Sequence, residues 1–125
     1  MSRKHAIHDA EPSVIVSHGA DFFGQDRHPV KGVRALAPYA ETSVSFLERS
    51  SIARLVQLLE DPVAQTFSAA EAAQLSEQLL KVSRGRGLKT GLAAIARHLA
   101  DAGARAAADG ESWTWAVEGS PAATG

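Results

Sequence analysis

The sequence predicts an α+β domain that is mainly helical, with about four helices packed on a small antiparallel sheet formed by the N- and C-terminal strands. Three observations predict it. Apolar residues recur at steps of three and four through most of Val30 to Ala106. Two short runs, Ser13-Val-Ile-Val-Ser17 and Glu111-Ser-Trp-Thr-Trp-Ala-Val-Glu118, are instead β-branched or alternating. These runs lie at opposite ends of the patterned region, so the simplest closure pairs them. A lone two-stranded ribbon is marginal in water and must lean on the helices.

The elements follow in order. Residues 1–12 are polar and aperiodic and read as a flexible leader. Residues 13–118 read as one globular domain and 119–125 as a flexible tail. Val14 and Val16 share one face of the first strand and Ile15 takes the other, so burial is expected on both sides. His18 to Pro29 holds two glycines, two aspartates and a proline and reads as a loop, pinned to the core by Phe22 and Phe23. Val30, Val33, Leu36, Ala37 and Ala40 predict a first helix, with Pro38 disturbing its end. Val44, Leu47, Ile52, Leu55, Val56 and Leu59 predict a second, with Ser50-Ser51 as a candidate break and Asp61-Pro62 as its stop.

The third helix has the clearest signature. Ser68-Ala-Ala-Glu71 has the form of a capping box, and Ala72, Leu75, Leu79 and Val82 make one stripe. Gly85 and Gly87 stop it. A fourth helix starts near Leu88 to Thr90, carries Leu92, Ile95, Leu99, Ala102 and Ala106 inward, and ends at Asp109-Gly110. Arg97, Asp101 and Arg105 are spaced four apart and suit a solvated charge ladder. Trp113, Trp115 and Val117 alternate along the closing strand, and the two tryptophans read as core.

Composition excludes several function classes. The chain has 125 residues, 45% hydrophobic and 22% charged, with a formal net charge of −1. That balance gives no overall electrostatic footprint for nucleic acid. No cysteine is present, which removes disulfides, thiolate zinc sites and cysteine nucleophiles. No run approaches 18 apolar residues, so no membrane-spanning helix is expected. Without an apolar secretory segment, the expected location is the cytoplasm.

Two segments hold candidate binding residues. His18, Asp21, Asp26, Arg27 and His28 gather imidazoles, carboxylates and a guanidinium in one loop. Such groups can hold a divalent ion or act as acid and base. The spacing matches no standard metal motif, and the competing reading is a turn whose aspartates accept backbone N–H groups. The second segment is Lys81, Arg84, Arg86 and Lys89 around Ser83-Arg-Gly-Arg-Gly87. Four cations with intervening glycines suit phosphate of a nucleic acid or small molecule. The segment lacks GxxxxGK[ST], and its linker is too long for a helix-turn-helix. The competing reading is a solvated turn that complements the third helix's C-terminus.

Other candidates are weaker. His5-x-x-His8-Asp9 falls in the leader. His98 reads as a boundary residue at the edge of an apolar stripe. G-x-S-x-G is absent. Ser17 and His18 are adjacent, and neighbouring strand residues point to opposite faces, so they are not expected to meet.

The segment Val16-Ser-His-Gly-Ala-Asp-Phe-Phe-Gly-Gln-Asp-Arg-His-Pro29, with Phe67-Ser-Ala-Ala-Glu71, Ser83-Arg-Gly-Arg-Gly87 and Trp113-Thr-Trp115, resembles a family of small uncharacterised actinobacterial proteins. The resemblance covers about residues 14 to 118. It implies a single domain, and no substrate, cofactor or catalytic residue.

The expected function is a small non-catalytic interaction or regulatory protein with a protein partner, no cofactor and no metal. Its expected contact surface is the loop from Ser17 to Pro29, with the Arg84/Arg86 loop as a candidate extension. One alternative is a nucleic-acid-binding accessory protein using the basic segment 81–89. Another is a metal-dependent enzyme using the His/Asp loop 18–28. Burial at this length is adequate rather than generous, which leaves room for a homodimer.

Overall fold

The first β-branched run forms strand β1 (Ser13–Ser17), and Trp113–Glu118 forms strand β4. The two pair antiparallel, with Val14 opposite Val117 and Val16 opposite Trp115. The structure is a computed structural model that describes residues 12–21 and 23–119. Residues 1–11, with the His5/His8/Asp9 motif, and residues 120–125 lie outside the described residues, as does Phe22.

The sheet has four strands rather than two, in the order β2-β1-β4-β3 and antiparallel throughout. β2 (Gln25–Pro29) occupies the second half of the segment expected to be loop. Its sequence, Gln-Asp-Arg-His-Pro, carries no apolar alternation. Backbone pairing to β1 holds it, and Pro29 is tolerated because it sits at the end of an edge strand. β3 (Gln65–Phe67) is the opposite edge and has only three residues, too few for a periodic signal.

The helices are α1 (Val30–Ala35), α2 (Ala37–Glu41), α3 (Arg49–Glu60), α4 (Ala69–Ser83) and α5 (Thr90–Asp109). The expected first helix is thus two short ones. The chain breaks at Leu36, and Pro38 falls in the first turn of α2, where a missing N–H costs nothing. The expected second helix runs through Ser50-Ser51 without a break. Its first part is a separate 3₁₀ turn, Phe46–Glu48. The stop before Pro62 and the capping box are as expected. Ser68 Oγ accepts from the Glu71 N–H at 3.1 Å, and Glu71 accepts from the Ser68 N–H at 3.0 Å. That backbone N–H, with the Arg54 guanidinium behind it, holds the Glu71 carboxyl below the usual carboxylate range.

The core lies between the sheet and the helices. α5 packs on β1, β2 and β4, and α4 packs along α5 in the most extensive contact of the fold. Phe67, Trp113 and Trp115 are buried, and Trp115 meets both other rings edge to face, with the two indole rings 5.6 Å apart. Val14 and Val16 face this core. Ile15 faces outward yet is only 7% exposed. Arg27 on β2 and Glu118 on β4 pair at 3.2 Å across β1, on the face that Ile15 shares. The long arginine stem offers the apolar cover that such side chains provide.

Candidate functional site

Three chain segments meet at one end of the sheet: the end of β1, the end of α5 and the approach to β4. His18 leaves β1 with φ of 63°, a left-handed conformation uncommon outside glycine but tolerated by histidine better than by β-branched residues. That turn swings the ring back over its neighbour. Ser17 Oγ lies 2.9 Å from His18 Nδ1, and His18 Nε2 lies 2.7 Å from Glu111 Oε1. The two adjacent residues therefore do meet, contrary to the expectation for a regular strand, because His18 is no longer in the strand. The Thr114 N–H donates to Ser17 Oγ at 2.9 Å, and Arg105 Nη1 donates to the His18 carbonyl at 2.8 Å. Both the ring and the backbone of His18 are held from several directions.

The end of α5 supplies the acidic side of this corner. Gly110 adopts φ of 68°, and the Gly110 and Glu111 N–H groups return to the Ala107 and Ala106 carbonyls. This Schellman turn reverses the chain and sets Asp109 and Glu111 on either side of the glycine. One ligand atom each from His18, Asp109 and Glu111 lie within 4.8 Å of one another. Among the described residues this is the one group of three or more such side chains with metal-ligand proximity.

The loop residues expected to act together are dispersed. Asp21 Oδ1 accepts from the Phe23 and Gln25 N–H groups at 2.8 and 2.7 Å, and Asp26 Oδ1 accepts from the Ala20 N–H at 3.0 Å. These carboxylates brace the hairpin turn. Arg27 pairs with Glu118. His28 points to the inner face of the sheet, is only 5% exposed, and stacks on His98 with ring centroids 6.1 Å apart. Burial pushes the His28 imidazole below its ordinary pKa; Asp26 pulls it back and His98 pushes it down again. Phe23 does not pin the loop inward, since it is 79% exposed.

Lys81, Arg84, Arg86 and Lys89 surround the turn between α4 and α5, and all four are exposed. None forms an ion pair among the described residues. Six residues separate the two helices, consistent with a linker longer than a helix-turn-helix uses.

A further surface was not read from the sequence. Phe46 and Leu47 are 79% and 89% exposed on the 3₁₀ turn. Leu47 was expected to continue the stripe of α3, but the tighter 3₁₀ turn breaks the 3.6-residue period and turns it outward. Arg49 lies over the Phe46 ring at 5.6 Å. Open hollows of about 340 and 520 Å³ lie beside α3, and both include Ile52 in their lining. The available signal was two adjacent large apolar residues framed by Ser45, Glu48 and Arg49, of which Phe46 falls outside the stripe.

Fold and surface together define a small α+β domain, helices over a four-stranded antiparallel sheet. Residues 19–116 match the family described as Domain of unknown function (DUF7739), and the chain belongs to that family. No curated protein and no solved structure gives a significant match. No helix among the described residues is long and apolar enough to cross a membrane.

Proposed function

We propose that this domain is a non-catalytic interaction module that acts in the cytoplasm by binding another protein through the corner formed by Phe46 and Leu47. The observation that carries this reading is the near-complete exposure of two consecutive large apolar side chains on an ordered turn. Scattered exposed hydrophobes are ordinary, but a fixed adjacent pair is the kind of anchor that a partner's pocket desolvates. Glu48 on the same turn and Arg49 over the Phe46 ring would supply a polar rim. The dispersal of the His/Asp loop supports the same reading, because Asp21, Asp26 and His28 each have a local structural role.

A nucleic-acid reading rests on the exposed Lys81, Arg84, Arg86 and Lys89, which form no ion pair among the described residues. One experiment separates the two. The chain is used to capture material from lysate of its source cells, with and without nuclease. It is compared with a Phe46→Ser/Leu47→Ser variant and an Arg84→Ala/Arg86→Ala variant, each checked by circular dichroism. The interaction reading expects one stoichiometric protein that survives nuclease, is lost with Phe46→Ser/Leu47→Ser and is kept with Arg84→Ala/Arg86→Ala. Capture that is unchanged by the first variant, or abolished by nuclease and the second, overturns it.

A further inference from the structure

We propose that His18, Asp109 and Glu111 form a binding site for one divalent cation of the zinc or manganese class. The site is separate from the Phe46/Leu47 corner and does not depend on the interaction reading. One imidazole and two carboxylates are a nitrogen and oxygen donor set that suits these ions, whereas magnesium and calcium prefer oxygen alone. The three donor atoms lie within 4.8 Å of one another. Tetrahedral ligation at about 2.1 Å needs donors about 3.4 Å apart. His18 Nε2 and Glu111 Oε1, at 2.7 Å, would open slightly to admit an ion, and rotation of the two exposed carboxylates can supply that adjustment.

The electrostatics of the corner favour a cation. Asp109 is the last residue of a 20-residue helix, whose terminal carbonyls already make that end negative. A carboxylate there is in an unfavourable position, and Glu111 adds a second one beside it. The Asp109 carboxylate makes no hydrogen bond or ion pair among the described residues. Arg105, held on the His18 carbonyl, brings one positive charge to the same corner, so the two carboxylates leave it net negative.

The imidazole is also oriented in advance. Metal-binding histidines use one ring nitrogen for the ion and the other for a fixed outer partner. Here Nε2 faces the carboxylates and Nδ1 faces Ser17 Oγ, which the Thr114 N–H anchors to the sheet. A hydroxyl both donates and accepts, so Ser17 serves either tautomer. In the tautomer that donates Nε2–H to Glu111, Ser17 donates to Nδ1. With metal on Nε2, the ring proton sits on Nδ1 and donates to Ser17. Three protein ligands leave room for water or a small anion in the coordination shell.

Equilibrium dialysis of the full, untagged chain against Zn²⁺, with metal content measured, tests this. One bound Zn²⁺ per chain is expected, together with a rise in the unfolding midpoint and no comparable response to Mg²⁺. An Asp109→Asn/Glu111→Gln variant keeps the shape of the corner and should bind about ten-fold or more weakly. A His5→Ala/His8→Ala variant should bind as the parent does. The proposal is overturned by no saturable Zn²⁺ binding, by undiminished binding in the Asp109→Asn/Glu111→Gln variant, or by binding lost with His5 and His8.

Discussion

His28 shows how a single buried side chain sets a pH dependence. Its Nε2 is buried without a hydrogen-bond partner among the described residues, and burial lowers its folded-state pKa. Asp26 opposes that shift from the same strand, and His98 reinforces it from α5. The unfolded imidazole titrates near its ordinary value of about 6.5. Below that pH the unfolded chain binds a proton that the folded chain resists, so stability present above about pH 6.5 is lost as the pH falls toward the lowered folded value. Urea midpoints at pH 7.5 and 5.5 should therefore fall with acid. His28→Leu removes the orphaned nitrogen and should shrink that difference relative to the parent. An unchanged difference would mean that His28 is not the group responsible. The sequence marked His28 as chemically interesting but not its place inside, because one histidine between an arginine and a proline has no periodic context. His18 failed for a related reason. Alternation rules assume extended backbone, and a left-handed residue at a strand's end escapes them.

At the scale of elements, legibility tracked length and redundancy. α4 was readable because stripe, cap and stop all agreed, and α5 because a long stripe and its Gly110 stop did. β2 and β3 were not, since their pairing comes from β1 and β4 rather than from their own side chains. The α4–α5 contact also contains a requirement that periodicity does not show. A Cβ on Gly103 would meet Trp113 at 3.1 Å and Ser76 Cβ at 3.2 Å, so the glycine allows the helix to approach both. Gly103→Val should destabilise the fold by about 1–3 kcal/mol, the range for overpacking a filled core. Gly91, at the other end of the same helix, has open space around its absent Cβ. Gly91→Ala should be neutral or gain up to about 1 kcal/mol from helix propensity. Chemical denaturation of both variants checks the contrast; equal effects would show that α5 is not held by close approach at Gly103.

For the whole molecule, the mainly helical α+β class and the two central strands of its antiparallel sheet were legible. Two tryptophans on one strand face, a capped helix and a long alanine-rich helix leave few other arrangements. The functional surface was much less so. Apolar periodicity identifies what is buried, and the Phe46/Leu47 corner matters because it departs from that pattern. A net charge of −1 also leaves no global field to favour one face. Exposure of the corner costs solubility unless something covers it, which is the physical basis for assigning it to a partner. The acidic corner at His18 went unread because His18 and Glu111 are 93 residues apart and are brought together by two turns. The most direct test of the central claim is amide hydrogen exchange on the chain alone and with its captured protein. Slower exchange confined to residues 44–52 is the predicted result. Protection at 17–29 or 81–89, with 44–52 unchanged, would contradict the assignment of Phe46 and Leu47 as the contact surface.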